Sequence, residues 1–192
     1  MADVIHIHED DWRMRNLYPF AARAAVEADM AEAAAAAGRN RDASGFYADV
    51  HRIAPPSRDY ADFGLTLAEA ERVLAPILPR VRRFYATGLS GFASAERDPG
   101  GRYEEGAWCF GLDANCYIKL DAKGILVANI WFNLDTDDAD AGRRLRRAIE
   151  AVNALVPSAI ADYFLDFSGS ISEPKILDNY FTQLAKQRNA LP

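Results

Sequence analysis

The chain of 192 residues is 50% hydrophobic and 26% charged, a composition that is typical of a folded globular domain and excludes a disordered chain. Its net charge of −6 disfavours nonspecific binding to nucleic acid or to anionic lipid. A transmembrane helix needs about 18 consecutive apolar residues, which this sequence lacks, and no secretory signal is visible at its N-terminus. We therefore expect one globular domain, residues 1–192, in the cytoplasm, with neither nucleic acid nor membrane as a partner.

Short strands and one long helix are predicted in the first quarter of the chain. Residues 3–8 alternate in polarity, which is typical of a strand. After irregular chain up to Pro19, the alanine-rich segment 19–37 predicts a strong helix that starts at the proline and ends at Gly38. Residues 46–53 alternate again and predict a second strand.

A second helix is marked by the sequence Thr66-Leu67-Ala68-Glu69, a capping box in which the threonine accepts the Glu69 N–H group and the glutamate reaches back. Apolar residues follow at helical spacing as far as Phe84. Because Pro76 and Pro79 interrupt this pattern, we expect the helix to kink or to split into two short helices.

The second half of the chain predicts strands between helices. The predicted elements are strands at 107–112, 116–120 and 125–134, a helix from 135–140 to Pro157, a strand at 161–167 and a helix at 174–187. Since no regular βαβ units separate the strands, the pattern indicates an α+β fold. We expect a mainly antiparallel sheet with a three-stranded meander, flanked by about four helices.

No catalytic motif is complete in this sequence. The segment Gly88-Leu89-Ser90-Gly91 is one residue too short for a nucleophile elbow, and the glycines form no nucleotide-binding fingerprint. Cys109 and Cys116 flank a turn in which neither faces the other, so we expect two reduced thiols rather than a disulfide or a zinc site.

Two of the three histidines lie near the start of the chain, in the segment His6-Ile7-His8. Residues i and i+2 of a strand point to the same face, so both imidazoles project together. A site of His6, His8 and His51 with one nearby carboxylate is chemically acceptable for zinc or manganese, provided that the strands holding the histidines are adjacent. Alternatively, the two histidines lie on a half-buried edge strand, and the acidic residues after them cap a helix.

Acidic clusters with aromatic neighbours recur in the predicted loops and at the ends of predicted elements. In protein interfaces, desolvated aromatic side chains supply affinity and rim charges speed encounter. The pattern therefore favours capture of a basic protein partner; the alternative is that these loops are acidic only because the whole protein is. The residues predicted to contact the partner are Glu9, Asp10, Asp11, Trp12, Asp137 and Asp138.

The segment His8-Glu9-Asp10-Asp11-Trp12, continuing to Leu17-Tyr18-Pro19, resembles the start of small bacterial toxin-immunity-like proteins. The resemblance covers residues 1–60, and the predicted order of elements that follows the segment, helix, strand, helix and antiparallel meander, is similar too. It implies a cytoplasmic protein without catalytic activity that binds and blocks a partner such as a basic nuclease toxin. It transfers no binding residues, because no fixed functional positions match.

Our leading hypothesis is therefore a bacterial protein that uses no cofactor and binds a protein partner. One form of this hypothesis is an immunity-type inhibitor of a toxin. The alternative is a small metal-dependent hydrolase, in which zinc or manganese held by His6, His8 and His51 activates a water molecule. A third hypothesis is a homodimer that pairs through an exposed edge such as residues 3–8.

Overall fold

The computed structural model describes residues 3–40, 53, 56, 58–88 and 98–190. Within these ranges, eight strands form one sheet. In chain order the strands are β1 (Ile5–His8), β2 (Arg15–Pro19), β3 (Arg80–Thr87), β4 (Arg102–Asp113), β5 (Cys116–Lys123), β6 (Leu126–Leu134), β7 (Ser158–Asp162) and β8 (Phe167–Ser170). The α-helices of these ranges are α1 (Arg23–Asn40), α2 (Leu67–Leu74), α3 (Ala139–Leu155) and α4 (Ile176–Ala190). None of the helices in the described ranges is long and apolar enough to cross a bilayer.

The sheet is mixed, and its strands lie in the order β1-β3-β4-β5-β6-β2-β7-β8. Among the described strands β1 and β3 are parallel, and every other neighbouring pair is antiparallel. The α+β prediction is confirmed. The prediction of a three-stranded meander is wrong as a description of the sheet, because β4, β5 and β6 are only its central part and five further strands extend it.

Strand β2 joins the meander to the last two strands, since it pairs with β6 on one side and with β7 on the other. The sequence predicts irregular chain at this position. Its residues Asn16, Leu17, Tyr18 and Pro19 are all buried, and a strand that is covered on both faces has no alternation of polarity to reveal it.

Strand β3 occupies a segment for which the sequence predicts helix. Helix α2 ends at Leu74, and the chain then enters the sheet at Arg80. Val81 and Phe84, which are three residues apart, both lie in the same apolar cluster on one face of the sheet. A register shift between Val81 and Arg83 in the pairing with β4 makes this spacing compatible with a strand. A bulged strand and a turn of helix can therefore both place apolar residues three positions apart on one face.

Two smaller boundaries also differ from the prediction, and one predicted strand is not tested. Helix α1 continues to Asn40, and Gly38 lies inside it rather than after its end. The predicted strand 161–167 is the end of β7, a turn, and the start of β8, with Asp166 in the left-handed conformation at φ 49°. The predicted strand 46–53 lies, apart from its last residue, outside the described residues.

Local capping signals are confirmed. The Thr66 side chain accepts the Glu69 N–H group at 3.2 Å, and the Glu69 carboxylate accepts the Thr66 N–H group at 3.0 Å. Cys109 and Cys116 are both buried and not bonded to each other. The residues of the capping box lie within one helical turn of each other, so the surrounding fold does not override this signal.

The two faces of the sheet are covered differently. Helices α2, α3 and α4 pack on the front face, defined by Ile118 and Ile130 and holding the largest apolar cluster. The back face, defined by Phe84 and Trp131, carries a second cluster. Helix α1 lies on the back face over β2 and β7, where its buried residues Val26 and Met30 pack beside Tyr18.

A buried carboxylate at the end of β7 connects three of these elements. Asp162 is 0% exposed; its Oδ2 atom accepts hydrogen bonds from Arg15 Nε at 3.1 Å and from the Tyr180 hydroxyl of α4 at 2.9 Å. Its Oδ1 atom accepts the N–H groups of Phe164 and Leu165, at 2.9 Å and 3.1 Å. Each oxygen thus has two donors, which offsets the cost of burying the charge.

We predict that Tyr180→Phe lowers the free energy of unfolding by about 2 kcal/mol, because it removes a buried hydrogen bond to a charged group. Tyr85→Phe is the matched control: its hydroxyl donates to the exposed Glu105 carboxylate at 2.6 Å, so water replaces the bond and the loss is about 1 kcal/mol or less. Urea unfolding of both variants measures the difference. Equal losses would show that Asp162 does not depend on α4.

Candidate partner-binding site

The acidic segment that follows β1 forms a turn on the surface. Glu9, Asp10 and Asp11 make one 3-10 turn, and all three are exposed. The turn is capped by His8, whose Nδ1 atom accepts the Asp10 N–H group at 3.3 Å. Desolvation raises the pKa of the Asp11 carboxyl; Arg15 opposes this shift, and the charges of Asp10 and Asp135 add to it. The turn is therefore a compact site of negative charge.

Trp12 connects this turn to the back face of the sheet. Its ring is half-buried and lies 4.9 Å from the Trp131 ring and 6.1 Å from the Phe84 ring, measured between centroids. The Arg102 guanidinium lies 4.6 Å from the Trp12 ring centroid, within the range of a cation–π contact. Trp12 is thus held in place by the core on one side while its other side faces a groove.

The groove lies between the β1–β2 connection and helix α1 and has a volume of about 870 Å³. One wall consists of Trp12 and its neighbours in that connection. The other wall is the face of α1 that carries Met30, Ala33, Ala34 and Ala37. The floor and walls are mostly apolar, and the rim is charged, a combination typical of binding grooves.

The charged rim carries both signs, but the charge of one of its two arginines is offset by a carboxylate, and three rim carboxylates outnumber the other arginine. Arg13 pairs with Asp121, and Arg102 lies over Trp12. Within the described ranges, no lysine or arginine forms an ion pair with the rim carboxylates of Glu9, Asp10 and Asp166. The charge that the rim offers to a partner is therefore negative.

A buried lysine lies under this site on the back face. Lys119 is 1% exposed. Its Nζ atom lies 2.8 Å from a Glu104 carboxylate oxygen and 3.4 Å from one of Asp121, and it donates to the Leu120 carbonyl at 3.1 Å. A desolvated cation needs such partners, because burial without them costs several kcal/mol.

Asp121 extends this network to the groove. Besides Lys119, it contacts Arg13 and accepts the Trp131 indole N–H at 3.3 Å. Sequence reasoning missed this network. The available signal was a single lysine within the otherwise apolar run Cys116–Leu120, since a charge at a central strand position requires a buried partner.

Two of the predicted contact residues, Asp137 and Asp138, lie just before α3 and not in the acidic turn that precedes β2. Asp138 is the N-cap of α3, and its side chain accepts the Asp140 N–H group at 2.8 Å. Asp137 is exposed and lies 3.4 Å from Arg188 at the end of α4. Asp135, two residues earlier, is close enough to Asp11 for its charge to shift the pKa of that group. The charge of Asp135 therefore adds to that of the acidic turn at Asp11.

The two histidines of β1 lie on the face opposite to Ile5 and Ile7, as expected for alternate strand positions. His6 Nε2 is hydrogen-bonded to Thr87 Oγ1 at 2.7 Å, and His8 Nε2 lies 3.2 Å from the Gly88 carbonyl oxygen. β1 is an edge strand of the sheet. In the part of the chain that the structure describes, no three His, Cys, Asp or Glu side chains form a metal-binding group, and His51 lies outside that part.

Comparison of the chain with protein-family models, with curated proteins and with solved structures gave no match.

We predict that Lys119→Met lowers the free energy of unfolding by about 3 kcal/mol, since it leaves the carboxylates of Glu104 and Asp121 without their buried cation. The control is Lys123→Met, which removes an exposed lysine 3.6 Å from Asp59 and should change stability by about 0.5 kcal/mol or less. Chemical denaturation measures both. A small effect at Lys119 would mean that the network does not depend on the lysine.

We also predict a pH dependence that originates at His6. Burial lowers the pKa of its imidazole below the ordinary value of 6.5. Below that pH the unfolded chain binds this proton more readily than the folded chain, so the stabilising contribution is present above pH 6.5 and is lost as the pH falls through the folded pKa. Melting temperatures at about pH 7.5 and pH 5.5 should differ more for the wild type than for His6→Gln. An identical difference in the two proteins would contradict this assignment.

Proposed function

We propose that this protein binds a basic protein partner without catalysing a reaction, in the manner of an immunity-type inhibitor of a toxin. The observation that carries the proposal is the juxtaposition of an acidic turn, Glu9–Asp11, with an apolar groove walled by Trp12 and helix α1. Negative rim charge accelerates encounter with a cationic surface, and the desolvated apolar wall supplies the affinity that exposed charges lack.

The state of the potential nucleophiles supports a role in binding rather than in catalysis. Burial raises the pKa of the Cys109 thiol, and it raises that of Cys116 to about 12. Thiols with such pKa values are not thiolates at neutral pH and are weak nucleophiles. The most deeply buried carboxylate, Asp162, has four donors on its two oxygens and lies within the protein core.

The charge balance supports a basic partner. The chain has a net charge of −6, and the exposed acidic turn concentrates part of that charge beside the groove. Surface charges on one protein change association rates with an oppositely charged partner more than they change its dissociation rate. Binding should therefore weaken with rising ionic strength.

We predict that the triple variant Glu9→Lys, Asp10→Lys, Asp11→Lys folds normally and loses capture of its partner from a lysate of the source cells. Quantitative mass spectrometry of proteins retained by the immobilised wild type and by the variant identifies the partner as a basic protein that only the wild type retains. Its purified form should bind the variant at least about tenfold more weakly.

The control reverses three other exposed carboxylates, Glu150, Glu173 and Asp178, which lie on or before the helices of the front face. Because these three pair with Arg146 and Arg23, circular dichroism melting first checks that the control variant is folded. This control changes the net charge of the chain by the same amount. If both triple variants lose the partner equally, the interaction depends on total charge and the acidic turn is not the contact. If neither loses it, the proposed surface is wrong.

A further inference from the structure

We infer that the groove between Trp12 and helix α1 receives a short amphipathic helix of the partner, with apolar residues facing α1 and with lysine or arginine beside the acidic rim. The inference rests on the proposed function and adds to it the shape and chemistry of the bound segment. Three features of the groove support it: the small side chains of its helical wall, the negative charge of its rim, and the packing of Trp12 against the core in its opposite wall.

The helical wall is made of residues that permit a close approach. Ala33, Ala34 and Ala37 line the groove and carry no side-chain atom beyond Cβ. A second helix can lie against such a face at a short interaxial distance, since distances of about 8–10 Å depend on the size of the side chains in contact. Met30 at one end of this wall is a flexible apolar residue that adapts to the shape of what packs on it.

The second half of α1 makes few contacts of its own with the sheet. The buried residues of this helix are Val26 and Met30, and residues from Ala31 to Arg39 are exposed or half-buried. The face from Met30 to Ala37 covers two helical turns, a length of about 10 Å. This length suits a helical segment with apolar residues at positions i, i+3, i+4 and i+7.

The rim determines the charge of the segment. Glu9 and Asp10 lie at one side of the groove and Asp166 also lines it. Within the described ranges, no lysine or arginine is paired with these three carboxylates. Of the two rim arginines, Arg13 is paired with Asp121, so the three carboxylates outnumber the remaining cation, Arg102. A segment with lysine or arginine on its flanks supplies the missing positive charge. A segment with acidic flanks meets repulsion.

The opposite wall is fixed before binding. Trp12 is held by Trp131 and Phe84, and Arg13 is held by Asp121 of the buried network. A wall that does not have to be ordered on binding retains more of the contact free energy as affinity.

The test uses the full-length chain and a synthetic amidated peptide of about 14 residues, with leucine at i, i+3, i+4 and i+7 and lysine elsewhere. A second peptide carries glutamate in place of every lysine. We expect the lysine peptide to bind with a micromolar Kd by isothermal titration calorimetry and the glutamate peptide to bind at least about tenfold more weakly.

Two variants fill the groove and one matched variant does not. Ala34→Trp and Ala37→Trp place an indole in the groove and should each weaken the lysine peptide at least about tenfold. Ala35→Trp adds the same side chain to α1 at an exposed position about 150° around the helix from the groove face and should leave binding unchanged. Circular dichroism melting checks that all three variants are folded, and either groove variant suffices for the test.

Four outcomes overturn the inference. The first is no binding of the lysine peptide at about 1 mM. The second is equal binding by the wild type and a folded groove variant, and the third is equal binding of the two peptides. The fourth is a wild-type dimer in light scattering that Ala34→Trp converts to a monomer, since a second copy of the chain then occupies the groove.

Binding of the captured partner to the groove variants shows whether the groove inference and the proposed function fail separately. If the triple reversal at residues 9–11 loses the partner and Ala34→Trp retains it, the protein binds a basic partner but not through the groove. If both retain the partner, the proposed function and the groove both fail. Loss of the partner in both, with retention by Ala35→Trp, supports both.

Discussion

The fully buried carboxylate of Asp162 joins elements from both ends of the chain. An unpaired charge at a fully buried position costs several kcal/mol, so the carboxylate is tolerated only where its donors are in place. Those donors come from β2, from the turn after β7 and from α4. The requirement fixes the relative position of three elements that are far apart in the chain.

The groove inherits its shape from this constraint. Arg13 and Met14 line it immediately before Arg15, and Tyr163 and Asp166 line it just after Asp162. The chain neighbours of Arg15 and of Asp162, the two members of the buried ion pair, therefore both line the groove. The backbone bond from the Tyr163 N–H group to the Met14 carbonyl, 3.0 Å long, joins the same two segments. The second buried network, at Lys119 and Asp121, holds Arg13 from the other side. A binding surface thus lies where two internal charge networks meet.

Prediction from the sequence succeeds where a feature depends on neighbours along the chain. The capping box at Thr66 follows from side chains within four residues of the backbone groups that they satisfy. It fails at β2 and β3. The first is buried on both faces and shows no alternation, and the second contains a bulge that gives strand residues a helical spacing. For the site, the acidic turn and Trp12 are visible in the sequence, whereas Lys119, Asp121 and the alanine wall of α1 gain their roles from partners that lie far away in the chain.

The sequence by itself determined the α+β class, the start of α2 at its capping box and an acidic turn next to Trp12. These properties are sums over local preferences and composition, which do not require knowledge of what packs against what. Only the tertiary structure decided that β2 lies between β6 and β7, that β1 pairs parallel to β3, and that α1 lies beside Trp12 to form a groove. The physical reason is that apolar burial is non-directional. Many pairings of apolar segments satisfy it, and the buried charges, which tolerate few arrangements of their donors, select among them.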